Sequence, residues 1–262
     1  AAAAQAFPDK PVETGKAWKE MIHRYVAGTL GLLVFAACFL AWRRRPLTSI
    51  ALAIVIVFQA LLGMWTVTLL LKPVIVTAHL LGGMTVVALL TLLAMGEPGG
   101  WRRIAPPGAA GLARVALLLL VAQIALGGWV SSNYAGLICQ DFPTCQGEWH
   151  PPMDFTHGFA VFRELGQTAH GELLPFAALT AIHWTHRLGA LAVTLLAGAL
   201  ALALWRTGGP SWRQWSLLLA GALSLQVGLG IANVLLSLPL LLAVAHNLGA
   251  ALLLTVTLAI NL

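Results

Sequence analysis

Charge is what this chain has least of. Among 262 residues there are 15 Lys and Arg and 9 Asp and Glu, or 9% charged, against roughly 25% in a soluble domain. That shortage excludes an ordinary cytosolic globule and a disordered chain. The pI near 9.8 does not restore a nucleic-acid binder, because the basic residues are too sparse and too segregated to form a phosphate-tracking surface. Cysteine is also scarce, with three in the chain. No signal-peptide pattern and no initiator Met are present, and Ala1-Ala2-Ala3-Ala4 reads as a tag remnant or as residues of unknown type rather than a natural start. What is abundant is apolar: 59% hydrophobic residues and 26 glycines, with a mean hydropathy of +0.86. At about 20 residues per span, such a chain has room for seven transmembrane helices with short loops.

Seven apolar stretches are legible, at about 20–42, 48–71, 74–95, 112–132, 175–205, 214–236 and 240–262. Pro46, Pro73, Pro98, Pro106, Pro107, Pro210 and Pro239 fall in the expected connections. Trp18, Trp42, Trp101, Trp129, Trp205 and Trp212 lie near span ends, as an interfacial belt requires. Arg43, Arg44, Arg45, Arg102, Arg103, Arg114, Arg206 and Arg213 gather in alternate connections, while eight of the nine acids lie on the opposite side. The positive-inside rule makes the Arg-rich loops cytoplasmic and puts the tail 1–19 and the long loop 133–174 outside. In a bacterial cell this is the inner membrane, with the long loop periplasmic. Cys38 sits in an apolar run as a small buried hydrophobe. Cys139 and Cys145 share the external loop, where either a disulfide or two neighbouring thiols is consistent with the spacing.

The first three spans repeat in the last three. His23-Arg24 corresponds to His186-Arg187, Gln59-x3-Gly63 to Gln226-x3-Gly230, and Ala78-His79-x2-Gly82 to Ala245-His246-x2-Gly249. Three matches in order imply a duplicated bundle. The expected architecture is an all-α integral membrane protein of two pseudo-symmetric four-helix-bundle halves, 20–111 and 112–262. Span 112–132 has no counterpart ahead of residue 20, so the first helix of the N-terminal half is expected to be absent from this chain.

His23, His79, His186 and His246 all lie on spans that begin outside, near their outer ends. Ionisable residues are costly in a membrane span and face the bundle interior. Two histidines at one depth in a bundle are suited to clasp a haem iron from both faces. The plain alternative is four hydrogen-bonded core residues; zinc fits less well, since neither pair has third and fourth ligands. Arg24 and Arg187 are placed to meet haem propionates, or to snorkel to the interface. Glu20 precedes His23 by three residues and shares its face, where His183 holds the equivalent place before His186. Glu20 reads either as a proton-handling carboxylate or as a favourable charge at a helix start. His183 competes with His186 as ligand, and the repeat selects His186.

On Glu20-Met-Ile-His23-Arg24, Ala78-His79-Leu80-Leu81, Ala135-Gly136-Leu-Ile-Cys139-Gln-Asp-Phe-Pro-Thr-Cys145, Pro151-Pro152-Met153, His183-Trp-Thr-His186-Arg187 and Ala245-His246-Asn247, the chain resembles the haem A synthase family of cytochrome oxidase assembly. The resemblance covers most of the chain from about residue 6. It implies eight spans in two related halves and an enzyme that converts haem O to haem A by oxidising the C8 methyl to a formyl group. It further implies a resident haem b at His186 and His246, substrate haem O at His23 and His79, Glu20 as the functional carboxylate, and a Cys139–Cys145 disulfide. Membrane lipid and haem O are the implied partners, with room for the farnesyltransferase that makes haem O, an electron acceptor and a second copy of the chain; nucleic acid is not among them.

Two other classes compete: a non-enzymatic di-haem b cytochrome, which calls for two symmetrical sites, and a transporter with histidine proton relays, which calls for no haem. His150, His157 and His170 read as solvated loop residues, 155–165 as an interfacial helix, Trp184 as packed on a neighbouring helix, and Met64 and Met84 as core filler.

Overall fold

The structure, a computed structural model, describes residues 13–95, 105–106, 108–207 and 209–262. Pro98, Trp101, Arg102, Arg103 and Pro107, used above for topology, lie outside the described residues. The helices in chain order are α1 (Thr14–Ala41), α2 (Pro46–Thr68), α3 (Pro73–Met95), α4 (Ala110–Ser132), α5 (Phe155–Gly158), α6 (Phe176–Thr207), α7 (Pro210–Leu235) and α8 (Leu240–Ile260). All but α5 are long and apolar enough to cross a membrane. A 23-residue helix spans about 35 Å at 1.5 Å per residue, enough for a hydrocarbon core of about 30 Å. Pro46, Pro73 and Pro210 are the first residues of their helices rather than connection residues, where the missing N–H costs nothing and the fixed φ suits a helix start.

The apolar pattern has no hydrophilic face to present because lipid, not water, surrounds the spans. Phe39, Leu32 and Leu118 are 82%, 73% and 70% exposed on the outside of the bundle. The interior is built on small side chains that let helices approach closely. Ala113, Ala116, Ala197, Ala201 and Ala222 pack with Leu120, Leu200, Leu219 and Leu253 in one core. That core belongs to α4, α6, α7 and α8, which contact one another in a closed ring. The helices of the first half form a row instead: α1 lies on α2, α2 on α3, and α3 docks on α4 and α8. Their own core is limited to Val34, Cys38, Leu52 and Val86 with a few partly buried neighbours; Cys38 is a free, buried thiol there.

The 133–174 segment folds over one end of the ring. Arg163, 5% exposed, holds it together by donating to Asn133 Oδ1 at 2.5 Å and to the Gln167 carbonyl at 3.3 Å. Its guanidinium stands 5.7 Å from the centre of the Trp129 ring. Desolvation draws the Arg163 pKa below its ordinary value. Trp129 is therefore not a belt residue: it is 8% exposed and donates from its indole nitrogen to the Gly158 carbonyl at 2.9 Å. The helix expected over 155–165 is confined to Phe155–Gly158. Asp154 caps it, accepting from the His157 backbone N–H at 3.1 Å and pairing with His157 Nδ1 at 2.5 Å; those bonds hold the Asp154 carboxyl below the usual range. A Cβ on Gly158 would lie 2.8 Å from the Ala178 carbonyl oxygen, so only glycine lets this turn rest on α6. Lys72, in the α2–α3 connection, pairs with Glu164 at 2.8 Å. That contact puts the α2–α3 connection and the long loop at the same end of the molecule.

Candidate functional site

Helix direction alternates along the chain, so α1, α3, α6 and α8 all begin at the end covered by the 133–174 loop. His79 stands six residues past the first residue of α3, and His246 six past the first residue of α8; His23 and His186 stand nine and ten residues into α1 and α6. The members of each pair lie on helices that begin at this same end, His23 and His79 on α1 and α3, His186 and His246 on α6 and α8.

Three of the four histidines sit in the same kind of notch. The Gln59 side-chain N–H donates to the His79 backbone carbonyl at 2.8 Å, and a Cβ on Gly63, one turn after Gln59, would lie 3.3 Å from the His79 ring. Gln123 Nε2 lies 2.9 Å from both the His186 carbonyl and His186 Nδ1, with Gly127 open to the ring at 3.1 Å. Gln226 Nε2 lies 3.3 Å from His246 Nε2, and Gly230 is again open at 3.1 Å. On the histidine's own helix, a Cβ on the glycine three residues later (Gly82, Gly189 or Gly249) would fall on the glutamine carbonyl oxygen, so the amide would have to shift to admit a side chain. The unit is Gln-x3-Gly on one helix against His-x2-Gly on the next. Two of its copies were legible in the repeat. The third, built on Gln123 and Gly127, was missed, although its Gln-x3-Gly spacing was the available signal.

The fourth histidine is different. His23, Glu20 and Arg24 all lie on an exposed stretch of α1. Arg24 pairs with Glu20 at 2.5 Å, the side chains being 58% and 48% exposed. Arg187, the repeat counterpart of Arg24, is held on every side. It donates to the carbonyls of Cys139 at 2.9 Å and Thr144 at 2.7 Å, and its Nε stands 3.3 Å from His183 Nε2. One N–H on each terminal nitrogen is left for another acceptor.

Those carbonyls belong to the disulfide loop, for Cys139 and Cys145 are bonded. The disulfide is buried against Trp184 of α6, with Ile138 and Met153 beside it. Between the cysteines, Asp141 accepts from the Thr144 hydroxyl at 2.5 Å and from the Gln146 and Gly147 backbone N–H groups at 2.7 and 3.0 Å. These bonds, that of Thr144 foremost, lower its pKa to about 2. Of the loop histidines, His150 and His170 are exposed and His157 is committed to Asp154. Among the described residues no three His, Cys, Asp or Glu gather as a metal cluster. Nδ1 of His79 and Nδ1 of His246 are buried without a hydrogen bond, orphaned imidazole nitrogens of the kind a bound metal group would explain.

Together these features define a multi-pass, all-α membrane protein with histidine pairs near the end that its disulfide loop covers. The chain belongs to the cytochrome oxidase assembly protein family, which it matches over residues 1–258. It is 43% identical over 269 residues to a protein of Shewanella oneidensis named heme A synthase, covering 97% of this chain and 78% of that protein. Two further proteins of that name are similar. One, from Halalkalibacterium halodurans, is 31% identical across 64% of this chain and 59% of its own length. The other, from Methylobacterium radiotolerans, is 29% identical across 89% and 65%.

Proposed function

We propose that this chain is a haem A synthase, an oxidoreductase that converts haem O to haem A by oxidising the C8 methyl to a formyl group. The carrying observation is that each half sets two histidines at corresponding positions near one end of its helices, three of the four beside a glycine notch and His79 and His246 with a buried, unpaired ring nitrogen. His186 and His246 of the C-terminal half, 112–262, hold haem b, and His23 and His79 of the N-terminal half, 20–111, receive haem O. A bound haem b supplies one-electron redox chemistry between its ferric and ferrous states. His183 is the weaker candidate for ligation, because the repeat aligns His186, not His183, with His23.

The remaining residues organise the two sites. Arg187 fastens the disulfide loop to α6 and keeps one N–H on each terminal nitrogen for a propionate. Arg24 has the equivalent role in the first half. Glu20 is the only carboxylate within the seven long helices. One turn from His23, it accepts a proton released as the methyl is oxidised. The Arg-rich connections face the cytoplasm and the 133–174 loop faces outward from a bacterial inner membrane, which puts the disulfide in an oxidising compartment.

The test is expression of the full-length protein beside an active haem O source in a host lacking its own haem A synthase, followed by separation of the extracted haems. Haem A is the expected product. Bound haem b with unconverted haem O identifies an electron-transfer cytochrome instead, and absence of haem leaves the transporter reading. Glu20→Gln protein that made haem A at the wild-type rate removes Glu20 from the reaction.

A further inference from the structure

Arg163 is a buried cation whose partners are all neutral. It is 5% exposed, and it donates to the Asn133 amide oxygen and the Gln167 carbonyl. Its Nε is buried without a hydrogen bond. Among the described residues no carboxylate pairs with it, and Glu164 beside it is turned to Lys72 at 2.8 Å. The Trp129 ring beneath the guanidinium attracts a cation through its quadrupole but brings no charge. A charge taken out of water among neutral partners is costly unless an opposite charge joins it.

The same guanidinium forms one wall of a cavity of about 270 Å³ between the α2–α3 connection and the 133–174 loop, lined also by Lys72, Val74, Phe162, Glu164 and Thr168. Two cations and one carboxylate leave the lining one charge positive. Val74, in the first turn of α3, adds the positive end of that helix. The volume falls below the roughly 300–1,000 Å³ of sites for drug-sized ligands, so it suits a small charged group rather than a macrocycle. Its depth is set by Pro73, the first residue of a helix long and apolar enough to cross the membrane. The cavity therefore lies where hydrocarbon gives way to headgroups. Phe162, 88% exposed on the rim, presents an apolar ring to the same boundary.

We propose that this cavity is a phospholipid site, in which Arg163 and Lys72 hold the headgroup phosphate of an anionic lipid from the leaflet at this end of the bundle. Basic pockets beside membrane helices take such headgroups. Arg163 spends one N–H of each terminal nitrogen on the loop and keeps the other for phosphate oxygens, which a guanidinium meets as a fork. The bound phosphate supplies the charge that the neutral partners of Arg163 lack, and it fastens the loop to the start of α3. The site shares no residue with the haem assignment and stands apart from it.

The test uses the full-length protein, stripped of lipid in a neutral detergent and titrated with phosphatidylglycerol in mixed micelles. Thermal unfolding and the lipid phosphorus retained after gel filtration are the readouts. Phosphatidylglycerol is expected to raise the Tm of the wild-type protein, and no rise overturns the proposal. Lys72→Gln weakens the apparent affinity about tenfold, the size of one lost charge-assisted hydrogen bond. Glu164→Gln breaks the same ion pair but removes the competing negative charge, and it strengthens the affinity. Opposite shifts support the proposal. Loss of affinity in both variants marks a structural ion pair and overturns it, as does an affinity unchanged in both. Arg163→Gln is expected to abolish the response; where that variant does not accumulate because the loop is released, the Lys72 and Glu164 comparison decides. Inorganic phosphate alone is the second probe. A Tm rise equal to that from phosphatidylglycerol at the same concentration overturns the lipid in favour of a free anion. Haem lost from Lys72→Gln with phosphatidylglycerol binding unchanged overturns it in favour of a haem carboxylate.

Discussion

The two halves of this molecule share a sequence pattern and differ in how completely they close around it. In the second half, α4, α6, α7 and α8 form a ring about a continuous core, and a disulfide loop is pinned over its end by Arg187 and Arg163. In the first half, α1, α2 and α3 form a row with a four-residue core, and His23 lies on an exposed face. Equal histidine positions in unequal surroundings separate what ligation needs from what retention needs. On the proposed assignment, the open half suits a haem that enters and leaves, and the enclosed half suits one that stays.

The largest difference between the halves is expected from removing one ligand from each. His186→Ala should cost more than the 10–100-fold in haem retention typical of losing a supporting residue around a metal ligand. His23→Ala should leave the haem of the C-terminal half in place. Haem content per protein after gel filtration reads both, and loss of haem from both halves in either variant would erase the distinction. Next is the cap itself. Gly158→Ala sets a Cβ against the Ala178 carbonyl, and overpacking of this kind costs about 1–3 kcal/mol. Thermal unfolding in detergent should show a lower Tm, with the loop opening first.

Breaking the disulfide has a comparable expected size. For so short a loop, chain-entropy reasoning gives about 2 kcal/mol, and Cys139→Ser with Cys145→Ser should lower the Tm while leaving haem at His23 and His79 indifferent. Acid should act on the same loop more gently. The folded pKa of Asp141 is about 2, below an unperturbed value of about 3.9. Its contribution is therefore whole above about pH 4 and is lost as pH falls toward 2. Asp141→Asn should flatten that part of the Tm-against-pH curve. The smallest effect belongs to the first half: Arg24→Gln breaks an exposed ion pair worth about 0–1 kcal/mol, so its Tm should scarcely move. A large drop would show that the Glu20–Arg24 pair organises α1.

Much of the fold was open to inspection of the chain. The seven spans, the buried Cys38 and the correspondence of His79 with His246 follow from hydropathy and from short motifs whose internal spacing survives folding. Gln123 escaped because its histidine lies 63 residues away across the external loop, whereas Gln59 and Gln226 lie 20 residues from theirs. An inserted loop hides a repeat from any comparison of spacings. Trp129 was misplaced in an interfacial belt because position near a span end is all a sequence offers, and the folded loop that buries it is remote along the chain. The same is true of 155–165, whose mixed composition suits a helix but whose backbone turns back at Gly158 to meet α6.

The sequence by itself determined that the chain is a bundle of seven spanning helices with four histidines at corresponding depths, because hydrophobic length and helical period are local properties summed along each segment. Only the tertiary structure decided which helices close into a ring, which amide meets which imidazole, and that Arg187 holds the disulfide loop. The amide and Arg187 contacts join groups 20 to 63 residues apart, and the ring closes where α4 meets α8, more than 100 residues further along the chain. Their meeting is set by the packing of small residues between helices rather than by any property of the segments that carry them.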